Sequence, residues 1–216
     1  MIRDRPSSSL HKPQAILPSM KVKGPNPIDV LPPTQDPNAA SMLQVMQLKR
    51  LYRQGWLKRG VGAVDCESVA DHSFSVAMLA LIAPLPSGVA LDRTKAALMA
   101  LVHELGEVYA GDITPVDGVA PEEKTRLERE SVERVLEGHG EAGTLSALWE
   151  EFETGATAEG RWVRELDRLE MGLQAALYRA EGWPHMEEFI ASADRSVRDA
   201  SLRKLLASVT GADPGT

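Results

Sequence analysis

The sequence lacks the features that mark secreted, membrane-spanning and disulfide-stabilised proteins. Among its 216 residues there is one cysteine, Cys66, so no disulfide can form within the chain. A single thiol is typical of reducing compartments, and we expect a cytoplasmic protein in which Cys66 is inert and not a nucleophile. No apolar run approaches the roughly 18 residues of a membrane span. Prolines and serines follow residues 1–5, so we expect neither a signal peptide nor a membrane partner.

The chain also lacks an excess of positive charge. Its formal net charge is −7, with 24 Lys and Arg against 31 Asp and Glu. Nucleic-acid-binding proteins normally present clustered Lys and Arg, so we expect no nucleic-acid partner. A small anionic substrate is compatible with this charge, because a metal ion and a few local cations can outweigh a weakly acidic field.

Alternating patterns typical of β-strands are absent, and apolar residues recur at helical spacing, so the sequence predicts an all-α fold. Ser68 and Asp92 are predicted N-caps, and Gly55 and Gly111 are predicted to end helices. The predicted helices cover residues 39–53, 68–83, 93–109, 121–137, 141–153, 158–181, 185–193 and 194–209.

The first 37 residues differ in composition from the rest of the chain. They hold eight of the fourteen prolines, and this density removes backbone donors and prevents helix interiors. We therefore expect residues 1–37 to form an extended or disordered arm, and residues 38–210 to form a single helical domain. His11 lies in the arm and is not expected to take part in chemistry.

Polar, ligand-forming side chains occupy positions where apolar residues would be expected. His103 and Glu104 directly follow the apolar run 96–102, and His72 lies in a helix that continues with apolar residues. Burying an imidazole beside a carboxylate costs several kcal/mol unless a charge such as a divalent metal neutralises it.

Asp167 is placed in the same unusual way. Its neighbours one turn away, Val163 and Met171, are apolar, so the carboxylate falls on the apolar side of the long predicted helix. Any one of these polar residues is more often a hydrogen-bonded core group. Their coincidence on three helices predicts a metal site, and its nitrogen and oxygen donors suit Mn, Fe, Co, Ni or Zn.

The order His72, His103-Glu104 and Asp167 resembles the H…HD…D signature of the HD-domain phosphohydrolases. The surrounding motifs are similar to the 5′-deoxynucleotidase branch of that family, over roughly residues 41–205. One position departs, because the family has an aspartate where this chain has Glu104. The similar motifs are Arg53-Gln54-Gly55-Trp56, Glu67 to His72, Leu101 to Glu107, Gly111 to Pro115, Glu122 to Lys124 and Leu148 to Glu153.

The resemblance implies an HD-type helical bundle that removes the 5′-phosphate from (deoxy)nucleoside monophosphates with one divalent transition metal. A single metal is expected because only His139 lies between the second histidine and the last aspartate, whereas two-metal relatives generally add histidines there. The implied metal ligands are His72, His103, Glu104 and Asp167.

The resemblance also implies catalytic and substrate-binding residues. Glu107 is expected one helical turn after His103, where it can orient or deprotonate a water. Asp112 is a second acid, with turn formation as the alternative role. Arg53 is expected to bind phosphate through its planar guanidinium. Lys124 is a second candidate for phosphate binding, although it could instead be a solvated lysine. Trp56 is expected to contact the nucleoside, with core packing as the alternative role.

Several alternatives stay open. A related phosphohydrolase could act on a nucleoside triphosphate or another small phosphate ester. Extra basic residues around the pocket would favour the triphosphate, and the sequence offers few. A helical binding protein with a decayed metal site is a second alternative, although Glu107 and Asp112 would then be unnecessary. A di-iron oxygenase would need extra ligands. Residues 42–51, rich in Met and Leu, could pair two copies into a homodimer.

Overall fold

The computed structural model describes residues 20–25 and 27–211. The predicted arm before residue 20 lies outside the described residues. In the part that is described, Val22 forms an antiparallel bridge with Leu51, and the Lys23 N–H donates to the Arg50 carbonyl at 2.7 Å. A single 3-10 turn follows at Pro27–Val30. This part of the chain therefore lies along the helical domain.

Within the described residues the chain forms ten α-helices and no strand, only two isolated bridges, which confirms the predicted all-α fold. No described helix is both long enough and apolar enough to cross a bilayer. The helices are α1 Pro37–Val45, α2 Gln54–Lys58, α3 Val69–Ile82, α4 Arg93–Val102, α5 Glu107–Ala110, α6 Pro121–Val135, α7 Ala142–Thr154, α8 Ala158–Ala180, α9 Met186–Ser196 and α10 Ala200–Thr210.

Two predicted caps set the start of the helices around the site. At α3 the Ser68 Oγ accepts a hydrogen bond from the Asp71 N–H at 3.2 Å, and Asp71 Oδ2 accepts one from the Ser68 N–H at 2.8 Å. At α4 the Asp92 carboxylate accepts from the backbone N–H groups of Thr94 and Lys95. Both caps satisfy donors that have no partner within the helix.

The predicted helix over residues 39–53 is interrupted. α1 ends at Val45, a 3-10 turn covers Met46–Lys49, and the backbone is then extended at Arg53 before α2 begins. The predicted stop at Gly55 is wrong, because Gly55 lies inside α2. The chain is not helical just before Arg53, because its backbone groups bond the segment that leads into α3. The Val69 N–H donates to the Leu51 carbonyl, and the Arg53 N–H donates to the Glu67 carbonyl.

The predicted helix over residues 93–109 is also interrupted. α4 ends at Val102, residues 103–106 form turns, and α5 begins at Glu107. Gly106 fits this break because a Cβ there would lie 2.6 Å from the Cβ of Glu128. Gly111, at φ 79°, ends α5 as predicted. His103 and Glu107 are therefore not one turn apart on a continuous helix.

α8 is the central helix of the bundle. It packs against α3, α4, α7, α9 and α10, and it buries Val163, Leu166 and Leu169 completely. Asp167 lies between these apolar residues and is itself 9% exposed. The packing that buries α8 thus places a carboxylate against α3 and α4, which carry His72 and lead into His103.

Candidate metal and phosphate site

Two buried histidines hold the same ring nitrogen near the Glu104 carboxylate. His72 Nδ1 lies 2.6 Å from Glu170 Oε2, and His103 Nδ1 lies 2.7 Å from the Ala100 carbonyl, so each Nδ1 donates to an oxygen. The ring centroids are 5.4 Å apart. Within the described residues both Nε2 atoms are buried and neither makes a hydrogen bond of good geometry, although His72 Nε2 lies close to the Asp167 carboxylate. Outer oxygens that fix the tautomer in this way are typical of metal-binding histidines.

Two carboxylates complete the set around these nitrogens. Asp167 Oδ1 lies 3.2 Å from His72 Nε2. Glu104 Oε1 lies 3.6 Å from His72 Nε2 and 3.5 Å from His103 Nε2. Single donor atoms of His72, His103 and Glu104 lie within 4.8 Å of one another. Two imidazoles and two carboxylates form a donor set that suits a divalent transition metal.

The protonation states in the metal-free chain reflect this crowding. Burial lowers the pKa of His72, but the carboxylates of Glu170 and Asp167 outweigh it and raise the pKa to about 10. Burial lowers the pKa of His103. Burial raises the pKa of both carboxylate donors, but the neighbouring histidines and arginines outweigh it. They lower the pKa of Glu104 to about 2 and that of Asp167 well below its usual value.

The residues therefore fit a metal. The unpartnered Nε2 atoms of His72 and His103 would be costly in a dry interior, and a cation is the partner that two nitrogens and two ionised carboxylates share. Metal binding must displace the proton that His72 otherwise carries, so affinity should rise with pH.

Arg53 lies at the edge of this donor set. Its Nη1 is 3.1 Å from Glu104 Oε1, 3.4 Å from Asp112 Oδ1 and 3.8 Å from Glu107 Oε1. Asp112 Oδ2 accepts a hydrogen bond from the Gln54 N–H at 2.5 Å. Both Asp112 oxygens thus hold the start of α2, and the turn at Thr114 uses Asp117 instead. This geometry does not favour the turn-forming role for Asp112.

Glu107 lies deeper in the cavity, and one of its oxygens is free. It is 2% exposed, and its Oε2 has no hydrogen-bond partner. Burial and the carboxylates of Glu104 and Asp112 raise the pKa of Glu107 well above its usual value. Once ionised, a carboxylate with a raised pKa is a stronger base than an ordinary glutamate, and it accepts a proton only in that ionised form.

These groups open into one cavity of about 1240 Å³, and eight of the nine candidate residues line it. The exception is His72, whose Nε2 contacts two of the lining residues, Glu104 and Asp167. Lys124 lies on one wall, 3.4 Å from Glu128. Trp56 is 3% exposed: its ring packs on Tyr178 and Phe189, and its Nε1 donates to Glu67 at 2.6 Å.

The expectation that few basic residues surround the pocket is wrong. Besides Arg53 and Lys124, five arginines line the cavity, and they come from the second half of the chain: Arg161, Arg164, Arg168, Arg195 and Arg198. Their positions could not be assigned from sequence, because α8 and the segment after α9 meet the site only through tertiary packing.

Two further acids were not identified from the sequence. Glu170 orients His72. Its sequence position could have identified it, because Glu170 lies three residues after Asp167 and therefore on the same side of α8. Glu67 accepts from Trp56 and belongs to a second acid cluster with His72 and Glu170. Burial first, and then the charge of Glu170, raises the pKa of Glu67 to about 7.

Comparison with known proteins identifies relatives for most of the chain. A family model described as "HD domain" matches residues 45–206. The chain is 36% identical over 177 residues to the 5′-deoxynucleotidase HDDC2 of Danio rerio, and the alignment covers 78% of this chain and 86% of the relative.

Solved structures resemble the fold over a similar span. A conserved hypothetical protein from Pyrococcus furiosus is 30% identical, with a TM-score of 0.66 over 80% of this chain and 98% of that one. A predicted metal-dependent phosphohydrolase from Magnetospirillum magnetotacticum is 27% identical, with a TM-score of 0.58 over 82% of this chain and 97% of that one.

Proposed function

The chain belongs to the HD-domain family, and on that premise we propose that it removes the 5′-phosphate from deoxynucleoside monophosphates with the help of a divalent metal. The observation that carries this proposal is the pair of buried, unpartnered Nε2 atoms facing two carboxylates in a cavity that also contains a cation. The name of the Danio rerio relative supports the substrate class.

We assign the metal to His72, His103, Glu104 and Asp167. A bound divalent cation supplies Lewis acidity toward the phosphoryl group and makes water nucleophilic near neutral pH. One metal per chain is expected, drawn from Mn, Co, Fe, Ni or Zn, because these metals accept mixed nitrogen and oxygen ligands.

Glu107 is the proton acceptor in the reaction. Its free Oε2 takes a proton from the attacking water, whose oxygen forms the new bond to phosphorus. The bond between phosphorus and the 5′-oxygen breaks, and the leaving oxygen takes up a proton to become the 5′-hydroxyl. Asp112 is the second acid. It accepts hydrogen bonds from the Gln54 N–H and from the Arg53 guanidinium, and these bonds hold Arg53 and the start of α2 in place.

The remaining candidates bind the substrate. Arg53 presents a planar guanidinium that suits a bidentate phosphate contact. Lys124 adds a second positive charge to the lining of the cavity and is held by Glu128. Trp56 packs against its neighbours, and we propose that it forms the floor below the nucleoside and does not stack on the base.

The experiment is phosphate release from deoxynucleoside 5′-monophosphates, with the 3′-monophosphates as position controls, by stripped protein reloaded with each metal. Glu107→Gln should reduce kcat by about 10²- to 10⁴-fold while still binding metal. Glu133→Gln, an exposed carboxylate of α6, is the matched control and should behave as the wild type. Absence of turnover with every metal in folded protein would indicate a binding protein with a decayed site.

Two finer proposals accompany the activity. A homodimer through α1 and the turn after it is consistent with the exposure of Met42 and Met46, although Leu48 and Leu51 are buried within the chain. Light scattering of the eluted protein tests it, and a monomer mass would refute it. The cytoplasmic location also stays a prediction, which cell fractionation tests.

A further inference from the structure

Most cations that line the cavity already have partners. Arg53 contacts three carboxylates, and Lys124 contacts Glu128. Arg161 and Arg164 donate to backbone carbonyls at the end of α7 and just after it, at distances down to 2.6 Å. These four side chains therefore have structural roles in addition to any contact with a substrate.

Three arginines differ from these four. The guanidinium groups of Arg195 and Arg198 make no hydrogen bond within the described part of the chain and have no carboxylate oxygen within 4.0 Å there. Arg168 lies 3.6 Å from its neighbour Asp167, and half of its side chain is exposed. Arg168 thus keeps one acidic partner, whereas Arg195 and Arg198 have none among the described residues, and like charges that line one cavity attract anions.

The fold brings these three arginines to the lining of one cavity. Glu165 Oε2, three residues before Arg168, accepts hydrogen bonds from the backbone N–H groups of Arg198 and Asp199 at 2.9 and 2.8 Å. This contact fixes the segment after α9 against α8. Arg195 is in the last turn of α9 and lines the same cavity. This part of the lining therefore adjoins Asp167, which we assign as a metal ligand.

The cavity has room for more than a small substrate. Its volume of about 1240 Å³ exceeds the roughly 300–1,000 Å³ of usual small-molecule pockets. Guanidinium groups bind phosphate through two parallel hydrogen bonds, which makes arginine the suitable residue for an additional phosphate group.

We propose that Arg168, Arg195 and Arg198 form a second phosphate subsite, which binds a phosphate group of the nucleotide other than the one that is cleaved. This inference rests on the proposed function, because it places the cleaved phosphate at the metal. The ligand class is a nucleotide with an additional phosphate, carried either at the 3′ position or in a 5′-polyphosphate chain.

The test measures equilibrium binding by calorimetry to the metal-loaded protein, alongside kcat/KM for phosphate release. Four deoxynucleotides are compared: the 5′-monophosphate, the 3′,5′-bisphosphate, the 5′-diphosphate and the 5′-triphosphate. The variant is Arg195→Gln with Arg198→Gln, both exposed and outside the metal set. Arg129→Gln is the charge-matched control, because Arg129 pairs with Glu150 and does not line this cavity.

We expect the wild type to bind at least one nucleotide with an additional phosphate about tenfold or more tightly than the monophosphate. The double variant should lose that advantage, and Arg129→Gln should keep it. Preference for the bisphosphate assigns the 3′ position, and preference for the di- or triphosphate assigns the 5′ chain.

Equal binding of all four nucleotides by the wild type, or an advantage that persists in the double variant, would overturn the subsite. Failure of the proposed function is distinguishable: no nucleotide would release phosphate, while calorimetry would still report whether the additional phosphate is bound.

Discussion

Glu104 is the residue at which this chain departs from the HD signature, and its length has a visible consequence. Its Oε1 lies 3.1 Å from Arg53 Nη1 and also within 3.6 Å of the Nε2 atoms of His72 and His103. One carboxylate oxygen thus joins the metal donors to the cation that we assign to phosphate binding. We expect that a side chain one methylene shorter would not reach both Arg53 and the two histidines.

Glu104→Asp, which restores the family residue, should separate the two roles. We expect metal affinity to stay within about tenfold of the wild type, because a carboxylate still faces the histidines, while KM for the nucleotide rises because Arg53 loses one of its three carboxylate contacts. Glu104→Gln should weaken metal binding by more than about tenfold, because it removes the negative charge. Metal titration and steady-state kinetics on both variants measure this. An unchanged metal affinity in Glu104→Gln would remove Glu104 from the metal set.

Cys66 provides a second prediction at the residue scale. The thiol is 2% exposed, and burial, followed by the charge of Glu67, raises its pKa to about 12. Since the thiolate is the reactive form, native protein at pH 8 should react with a thiol reagent far more slowly than urea-unfolded protein. Stoichiometric labelling of the native protein within minutes would contradict the assigned burial.

At the scale of helices, sequence patterns succeed where a helix obeys local rules. Ser68 and Asp92 cap as predicted, and the amphipathic α8 begins and ends within a residue of its predicted limits. The break predicted between residues 193 and 194 is misplaced, because α9 runs to Ser196 and α10 begins at Ala200. The two larger failures are the interruptions before Arg53 and after Val102. Apart from Gly106, neither segment contains a glycine or proline, and long-range contacts override the local helix propensity to place Arg53, His103 and Glu104.

The residues of the candidate site also divide into those that local sequence motifs identify and those that only tertiary packing places. Residues in short motifs, such as His103 with Glu104, could be found from their order along the chain. The unpaired arginines Arg195 and Arg198 carry no local signal, because a charged residue near a helix end is usually solvated. The packing of α9 against α8 places Arg195 in the cavity, and the contact of Glu165 with the segment after α9 places Arg198 there.

The packing of α8 against α9 and α10 depends on Gly172. A Cβ at this position would lie 2.7 Å from the Ala193 Cβ and 2.8 Å from the Leu206 Cδ1, closer than side chains tolerate. Gly172→Ala should therefore lower the free energy of unfolding by about 1–3 kcal/mol despite the better helix propensity of alanine.

Gly143→Ala is the control for that prediction. Gly143 also lies in a helix, but nothing approaches within 4 Å of a Cβ there, so the change should be neutral or slightly stabilising. Urea denaturation of both variants measures the difference. Equal stability of the two variants would show that α8 and α9 are packed less closely than described.

At the scale of the whole molecule, the site makes the metal-free protein sensitive to alkali. The folded pKa of His72, about 10, exceeds its usual 6.5, so its stabilising contribution is complete below pH 6.5 and is lost as the pH rises toward 10. The raised pKa values of Glu67 and Glu107 act in the same direction, because the folded state favours their protonated forms.

Chelator-treated protein should therefore lose thermal stability between pH 6.5 and 9. Metal-saturated protein should lose less, because the metal replaces the proton on His72 and binds more tightly as the pH rises. Melting curves with chelator and with saturating metal test this at each pH. Parallel loss of stability in both samples would show that His72 does not exchange a proton for the metal.

We propose that one metal ion held by His72, His103, Glu104 and Asp167 is the agent of 5′-phosphate release. The most direct measurement follows bound metal and phosphate release from a deoxynucleoside 5′-monophosphate in the same samples, as metal is added to stripped protein. We predict that activity rises from near zero and saturates at one metal per chain. Full activity in the stripped protein, or saturation only at two metals per chain, would contradict it.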